Sequence, residues 1–224
     1  CAQGRCATRL RYAPTRAGGI PIITERIAGT RRGVRRIIAF GMLSQRYGLV
    51  AYVRNSLGQF VESLRRDLHP TLPHSAAHLT VLPPRCLQGS EGAALQRLEA
   101  LCRESDAFDV QLDGVTSFCP ATPTVFVRVT QGTEHLQALH SRLNQAELAA
   151  CENWEYTPHL TIVKMSTTEQ ALEALEVAQG RWGEYRGGRR LLIDELTFVR
   201  ELDRETNSWA DVAPVRLGRK VAAF

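Results

Sequence analysis

Apolar residues recur along this chain in two alternating rhythms. Tyr47-Gly-Leu-Val-Ala-Tyr-Val53 is a nearly unbroken aromatic and aliphatic run that predicts a buried strand. Leu57, Phe60, Val61, Leu64 and Leu68 then fall at helical spacing. Asn55 or Ser56 can cap that helix, and His69-Pro70 ends it. A short strand follows at Ala77-His-Leu-Thr-Val-Leu82, closed by Pro83-Pro84. Next come a helix from about Glu91 to Glu104, with Ala94, Leu95, Leu98, Leu101 and Cys102 on its apolar face, and strands near Phe108–Phe118 and Thr124–Val129.

The order then recurs. A helix is predicted from Thr133 to about Leu148, a strand over Tyr156–Lys164, a helix from about Thr168 to Trp182 and strands at Leu191–Leu202 and Trp209–Leu217. Ser166-Thr-Thr-Glu169 reads as a capping box for the last helix. Two copies of helix, strand, helix, strand, strand predict an α/β fold of the α+β kind. Its two pseudo-symmetric lobes each carry a mainly antiparallel sheet with helices.

Composition narrows the class. With 44% hydrophobic and 23% charged residues, and no run near the roughly 18 apolar residues of a membrane span, the chain reads as globular and not membrane-inserted. The net charge of +5 suggests nucleic-acid binding until it is divided: residues 1–41 hold nine arginines and one acid, leaving 19 bases against 22 acids beyond. A nucleic-acid contact in residues 42–224 then needs a local basic cleft. Residues 1–41 are expected to be a disordered Arg-rich extension outside the folded domain of 42–224, because Met42 immediately precedes the first strand signal. A translated upstream stretch, a transit-like peptide and an RNA-touching arm are the readings weighed for it, in that order. The six cysteines show no CxxC pair and read as free thiols in a reducing cytosol, so a cytoplasmic location is expected and a Cys86–Cys102 disulfide is disfavoured.

The chemistry resides in two near-identical pentapeptides, His78-Leu-Thr-Val-Leu82 and His159-Leu-Thr-Ile-Val163, at matching points of the repeat. Side chains two apart share a strand face, so each segment presents an imidazole beside a hydroxyl while the intervening leucine turns to the core. If the repeats pack about a pseudo-twofold axis, His78, Thr80, His159 and Thr161 converge in one groove. Two histidines facing each other suit in-line phosphoryl transfer, one taking a proton from the attacking oxygen and the other giving one to the leaving oxygen. The threonine hydroxyls can donate to phosphate oxygens. A lone histidine in an apolar strand is more often a packed core residue; two matching motifs at equivalent places favour function.

These motifs resemble the signature of the 2H phosphoesterases. His78-Leu-Thr-Val-Leu-Pro-Pro-Arg85 and Tyr156-Thr-Pro-His-Leu-Thr-Ile162 resemble the two motifs of its 2′-5′ RNA ligase and cyclic phosphodiesterase branch. The resemblance implies a bilobed fold with a central catalytic cleft, no metal and no cofactor. It implies RNA ends or nucleotides as substrate, with 2′,3′-cyclic phosphate or 2′-5′ phosphodiester bonds as targets. On matching positions it makes His78 the proton donor to the leaving oxygen, His159 the base that activates water, and Thr80 and Thr161 the phosphate holders. Arg85 and Lys164, just beyond the motifs, are candidates for an anionic substrate, although a solvated strand end suits them equally. Tyr156 is either core or turned to the cleft by Pro158, and Phe118 either core or a base-stacking ring. His135 and His140, five apart, do not stack as a metal pair and read as partly exposed helix residues; His69 and His74 read as loop residues. A monomer is expected. The rival readings are a non-catalytic RNA- or nucleotide-binding module of the same fold, and a structural repeat with both histidines buried.

No cluster of His, Cys or carboxylates has ligand spacing, so turnover is expected to be indifferent to chelation. An assay with and without excess chelator checks this. Loss of rate on chelation, restored by a divalent ion, would count against a purely histidine-based mechanism.

Overall fold

The computed structural model describes residues 45–71 and 75–218; the expected extension over 1–41 and His74 lie outside the described residues. Eight strands and four helices alternate along the described residues: β1 (Arg46–Tyr52), α1 (Ser56–Leu68), β2 (His78–Cys86), α2 (Glu91–Arg103), β3 (Phe108–Ser117), β4 (Thr124–Gln131), α3 (Thr133–Leu143), β5 (His159–Lys164), α4 (Thr168–Glu184), β6 (Arg190–Ile193), β7 (Glu195–Asp203) and β8 (Ser208–Arg216). The strands form one antiparallel sheet in the order β6-β3-β4-β5-β2-β1-β7-β8. The fold is thus mixed α/β with two similar lobes, as the repeat implied, and the lobes meet where β2 pairs β5.

The unit that recurs in space starts one strand earlier than the sequence rhythm suggests. β1-α1-β2-α2 matches β4-α3-β5-α4 across the β2–β5 seam. A strand that follows each unit then pairs with the first strand of the other: β3, directly after α2, with β4, and β7, the second strand after α4, with β1, while β6 pairs β3. Each lobe is completed by chain from its counterpart. Several boundaries also moved. β2 runs through Pro83 and Pro84 to Cys86, and α3 stops at Leu143, with a single 3-10 turn at Ala146–Leu148 completing the expected long helix. One long strand near the end splits at Asp194. The capping box slides by one residue: Thr167 caps α4 by accepting from the Gln170 amide at 3.2 Å.

Helices cover one face of the sheet. The main core joins Leu49, Leu79, Val81, Leu160 and Ile162 of the strands to Leu57, Val61 and Leu64 of α1 and Leu136, Leu139 and Leu143 of α3. Val50, Phe126 and Val199 are also buried but stand apart from this cluster, because they lie on the opposite, groove face.

Both motif strands carry a β-bulge at the same place. Leu49 pairs Leu82 and Val50 pairs Thr80, which leaves Val81 without a partner on β1. Val125 pairs Val163 and Phe126 pairs Thr161, which leaves Ile162 without one on β4. An extra residue in one strand lets consecutive side chains both reach the core, so Val81-Leu82 and Ile162-Val163 are buried doublets.

The turn from β1 into α1 is unusually close. Asn55 caps α1 by accepting from the amides of Leu57 and Gly58, and a Cβ at Gly58 would fall 1.7 Å from the Val53 carbonyl oxygen. Gly58→Ala should therefore destabilise the protein by about 1–3 kcal/mol through overpacking, despite the roughly 1 kcal/mol that alanine gains over glycine in a helix. The urea midpoint reads the sign; a rise would show that the strand end yields freely.

Candidate phosphoryl-transfer groove

His78 opens β2 and His159 opens β5. The strands pair antiparallel at Leu79–Leu160, and the neighbours of a matched couple run in opposite directions. Thr80 therefore lies across from His159, and His78 across from Thr161. Both leucines are fully buried on the helix face, so the two histidines and two threonines share the other face.

The histidines are held alike. Nδ1 of His78 lies 2.7 Å from the Ala76 carbonyl oxygen, and Nδ1 of His159 lies 2.7 Å from that of Thr157. A carbonyl can only accept, so each Nδ1 carries the proton and Nε2 is the nitrogen left for proton transfer. Burial pushes both imidazoles below their ordinary value, opposed in each by the backbone hydrogen bond. His78 is lowered further by the positive charge of Arg65 and by His159 itself. Charging one ring thus disfavours charging the other, the condition for a pair that works as one acid and one base.

Aromatic rings flank each histidine, by different means. Tyr52, opposite His78 in the sheet, meets it edge-on at 6.3 Å, and its hydroxyl donates to Asp211 at 2.6 Å. His159 is packed by Phe118, edge-on at 4.9 Å, and by Phe126 at 5.1 Å; those two phenyl rings stack at 4.0 Å. The residue opposite His159 in β4 is the exposed Arg128.

The groove has two halves that share Thr80 and Pro84. The His78 half, about 160 Å³, is bounded by Val50, Tyr52, Val199 and Trp209. The His159 half, about 670 Å³, is bounded by Phe118, Thr122, Trp154, Tyr156 and Thr157. Trp154 is 73% exposed, a large apolar surface left at the rim.

The other sequence candidates separate. Tyr156 precedes β5 in irregular chain, lines the larger half, stacks on His140 at 4.0 Å and donates its hydroxyl to the Thr80 carbonyl at 2.8 Å. Phe118 both packs His159 and lines the groove. Lys164 pairs Thr124, which alternates with Phe126 on β4, so the bulge returns it to the histidine face, exposed beyond Thr161. Arg85 is a correction. It is 5% exposed, and its guanidinium donates to the Pro83 and Leu148 carbonyls, to Asn144 and to Glu152 at 2.5 Å, so its donors are used inside the protein. His140 is a second correction: expected as partly exposed, it is 6% exposed, with Nδ1 donating to the Val81 carbonyl at 2.8 Å and Nε2 3.2 Å from Glu152.

Arg65 was not singled out in the sequence. Buried at 5% exposure, it donates to the carbonyls of Thr161 and Ile162 in β5 and to that of Ser75 ahead of β2, at 2.6, 3.0 and 2.6 Å. Its neighbour Glu62 accepts from the Ala77 amide at 2.9 Å. One turn of α1 thereby holds both motif strands from behind. A signal existed: Arg65 interrupts the apolar stripe four residues after Val61, as His140 does four after Leu136.

Comparison with known proteins finds relatives in sequence and in fold. The sequence model described as the 2′-5′ RNA ligase superfamily matches residues 53–205. A candidate phosphoesterase of Oceanobacillus iheyensis is 22% identical over 177 residues, 78% of this chain and 99% of its own length. One from Halalkalibacterium halodurans is 22% identical over 175 residues, covering 78% and 98%. Among solved structures, Escherichia coli LigT in complex with NADP+ superposes with a TM-score of 0.54 at 17% identity, over 78% of this chain and 98% of that one. A Thermus thermophilus protein gives 0.55 at 16%, over 78% and 99%. At such identity these two show a shared fold. LigT has also been solved with 3′-AMP and with phosphate.

The depressed histidines have a consequence for stability. Both folded values lie below the free-imidazole value of 6.5, so as pH falls the unfolded chain takes up protons first. The contribution of the two groups is complete above about 6.5 and is lost as pH falls from there toward the folded values. The melting temperature should drop between about pH 7.5 and 5.5, and drop less in a His78→Asn/His159→Asn variant, whose amides can replace the Nδ1 donors. Equal slopes in the two proteins would show that the histidines titrate normally.

Proposed function

Because the chain belongs to the 2′-5′ RNA ligase superfamily, we propose that it is a metal-independent phosphoesterase. It cleaves or forms 2′,3′-cyclic phosphate or 2′-5′ phosphodiester bonds of nucleotides or RNA ends. The observation that carries the reading is the pair of His-x-Thr strands with both Nδ1 atoms committed to backbone carbonyls. The candidate phosphoesterase names of its relatives and the 3′-AMP and phosphate bound by LigT support a nucleotide phosphate as ligand.

In the hydrolytic direction, His159 Nε2 takes a proton from water as its oxygen bonds to phosphorus. The bond from phosphorus to one ribose oxygen breaks, and His78, protonated at Nε2, returns a proton to that oxygen. Thr80 and Thr161 donate to the non-bridging oxygens as charge gathers there. A bound phosphate anion favours protonation of a neighbouring imidazole, which offsets the lowering by burial. The depressed value makes the protonated His78 a stronger acid. No helix among the described residues is long and apolar enough to cross a membrane. We place the protein in the cytoplasm, acting as a monomer.

His78→Ala and His159→Ala should each lower turnover of a 2′,3′-cyclic nucleotide by about 10²- to 10⁴-fold with folding retained. The double variant should be far less than multiplicatively worse. Thr80→Ala and Thr161→Ala should cost about 10- to 1,000-fold. Near wild-type turnover in either histidine variant sinks the mechanism, and a wild-type protein that binds 3′-AMP without turning over any diester would identify a binding module instead.

A further inference from the structure

At the two bulges, beyond the single Leu79–Leu160 pairing of β2 with β5, two pairs of backbone carbonyls accept from side chains. At the β2 bulge, the Thr80 carbonyl accepts from the Tyr156 hydroxyl at 2.8 Å and the Val81 carbonyl from His140 Nδ1 at 2.8 Å. At the β5 bulge, the Thr161 and Ile162 carbonyls accept from Arg65 Nη2 and Nε, at 2.6 and 3.0 Å. The donors are related by the same pseudo-symmetry as the motifs. Arg65 follows Val61 and Leu64 on α1, and His140 follows Leu136 and Leu139 on α3, at identical helical spacing and on the buried face. The α1 donor grips the motif strand of the second repeat, and the α3 donor grips that of the first.

We propose that Arg65 on one side, and His140 with Tyr156 on the other, are positioning residues: paired clamps that seize the bulge carbonyls of β5 and β2 and so fix Thr161 and Thr80 against the phosphate. The inference rests on the reading of this groove as a phosphodiester site. A gripped carbonyl fixes the plane of its peptide, and the threonine whose carbonyl is held has its Cα on that plane. The Thr80 hydroxyl is thereby aimed by a residue that need not touch substrate through its own oxygen. His140 is in turn fixed by stacking on Tyr156 with 5° between ring planes and by Glu152, which Arg85 also holds. The burial of Arg85 thus has a role in the site, one step removed from the substrate. Preorganised donors lose effect steeply when they shift by about an ångström, so a clamp of this kind acts on kcat.

A double-mutant cycle tests this. Tyr156→Phe keeps the ring in the groove and removes only the hydroxyl; it should lower kcat about tenfold with KM within about twofold. In a Thr80→Ala background the same substitution should cost nothing more, because its target is already absent. In a Thr161→Ala background it should cost its full factor. His140→Phe, which keeps an aromatic stack but no donor, should lower kcat, and His140→Asn, whose amide can stand where Nδ1–H stood, should recover most of it. Equal losses in both threonine backgrounds, or a failure of His140→Asn to exceed His140→Phe, would overturn the clamp and leave a purely structural role. If wild-type protein turns over no diester, the function proposed above fails by itself. The clamp is then decided by a crystal structure of Tyr156→Phe: displacement of the Thr80–Val81 backbone supports it, and an unmoved backbone overturns it.

Discussion

The antiparallel pairing of Leu79 with Leu160 is the constraint on which the arrangement depends. It joins the two lobes into one sheet and reverses the order of the two motifs relative to each other, so that each histidine faces the other motif's threonine. Both leucines are fully buried, an apolar burial worth about 1.5–3 kcal/mol apiece. A slip of one residue would exchange faces, sending imidazoles into the core and leucines into the groove. The core on one side of the sheet therefore fixes which side chains face the groove on the other.

Bulging both strands behind the threonines has a cost that the fold meets with charged and polar groups in its interior. A buried carbonyl without a donor loses its hydration for nothing, and a regular neighbour strand cannot serve residues it skips. Arg65 answers this on β5, although loss of hydration on burial lowers its hold on its proton. Its positive charge lies behind the seam. That charge lowers His78 and favours an anion over a second proton in the groove.

Near symmetry is broken where a substrate would need it broken. Tyr52 stands opposite His78, while Arg128 stands opposite His159; Val50 lies across from Thr80, while Phe126 lies across from Thr161. The half-groove beside His78 is the smaller and that beside His159 the larger, with Trp154 at its rim. Under the proposed function, a groove with unlike halves binds the two unlike ends of a phosphodiester in one sense only, which gives two chemically identical histidines distinct duties.

The sequence by itself determined the order of most elements and the shared strand face of the four motif side chains, because strand alternation and helical periodicity are local and both motifs repeat at equivalent points. It placed His78, Thr80, His159 and Thr161 on strand faces without any knowledge of contacts. Tertiary structure alone decided what depends on partners far along the chain. The exchange of β3 and β7 between lobes follows from which strand edges stand open once the two units pack. Arg85 lies two residues beyond the start of a Pro-Pro pair that reads as a strand end, yet the strand continues and carries its guanidinium inward to Asn144 and Glu152. Arg65 and His140 sit on apolar stripes where a polar residue looks like an exception. Their partners are carbonyls 96 and 59 positions away in the chain, at bulges that no local pattern announces.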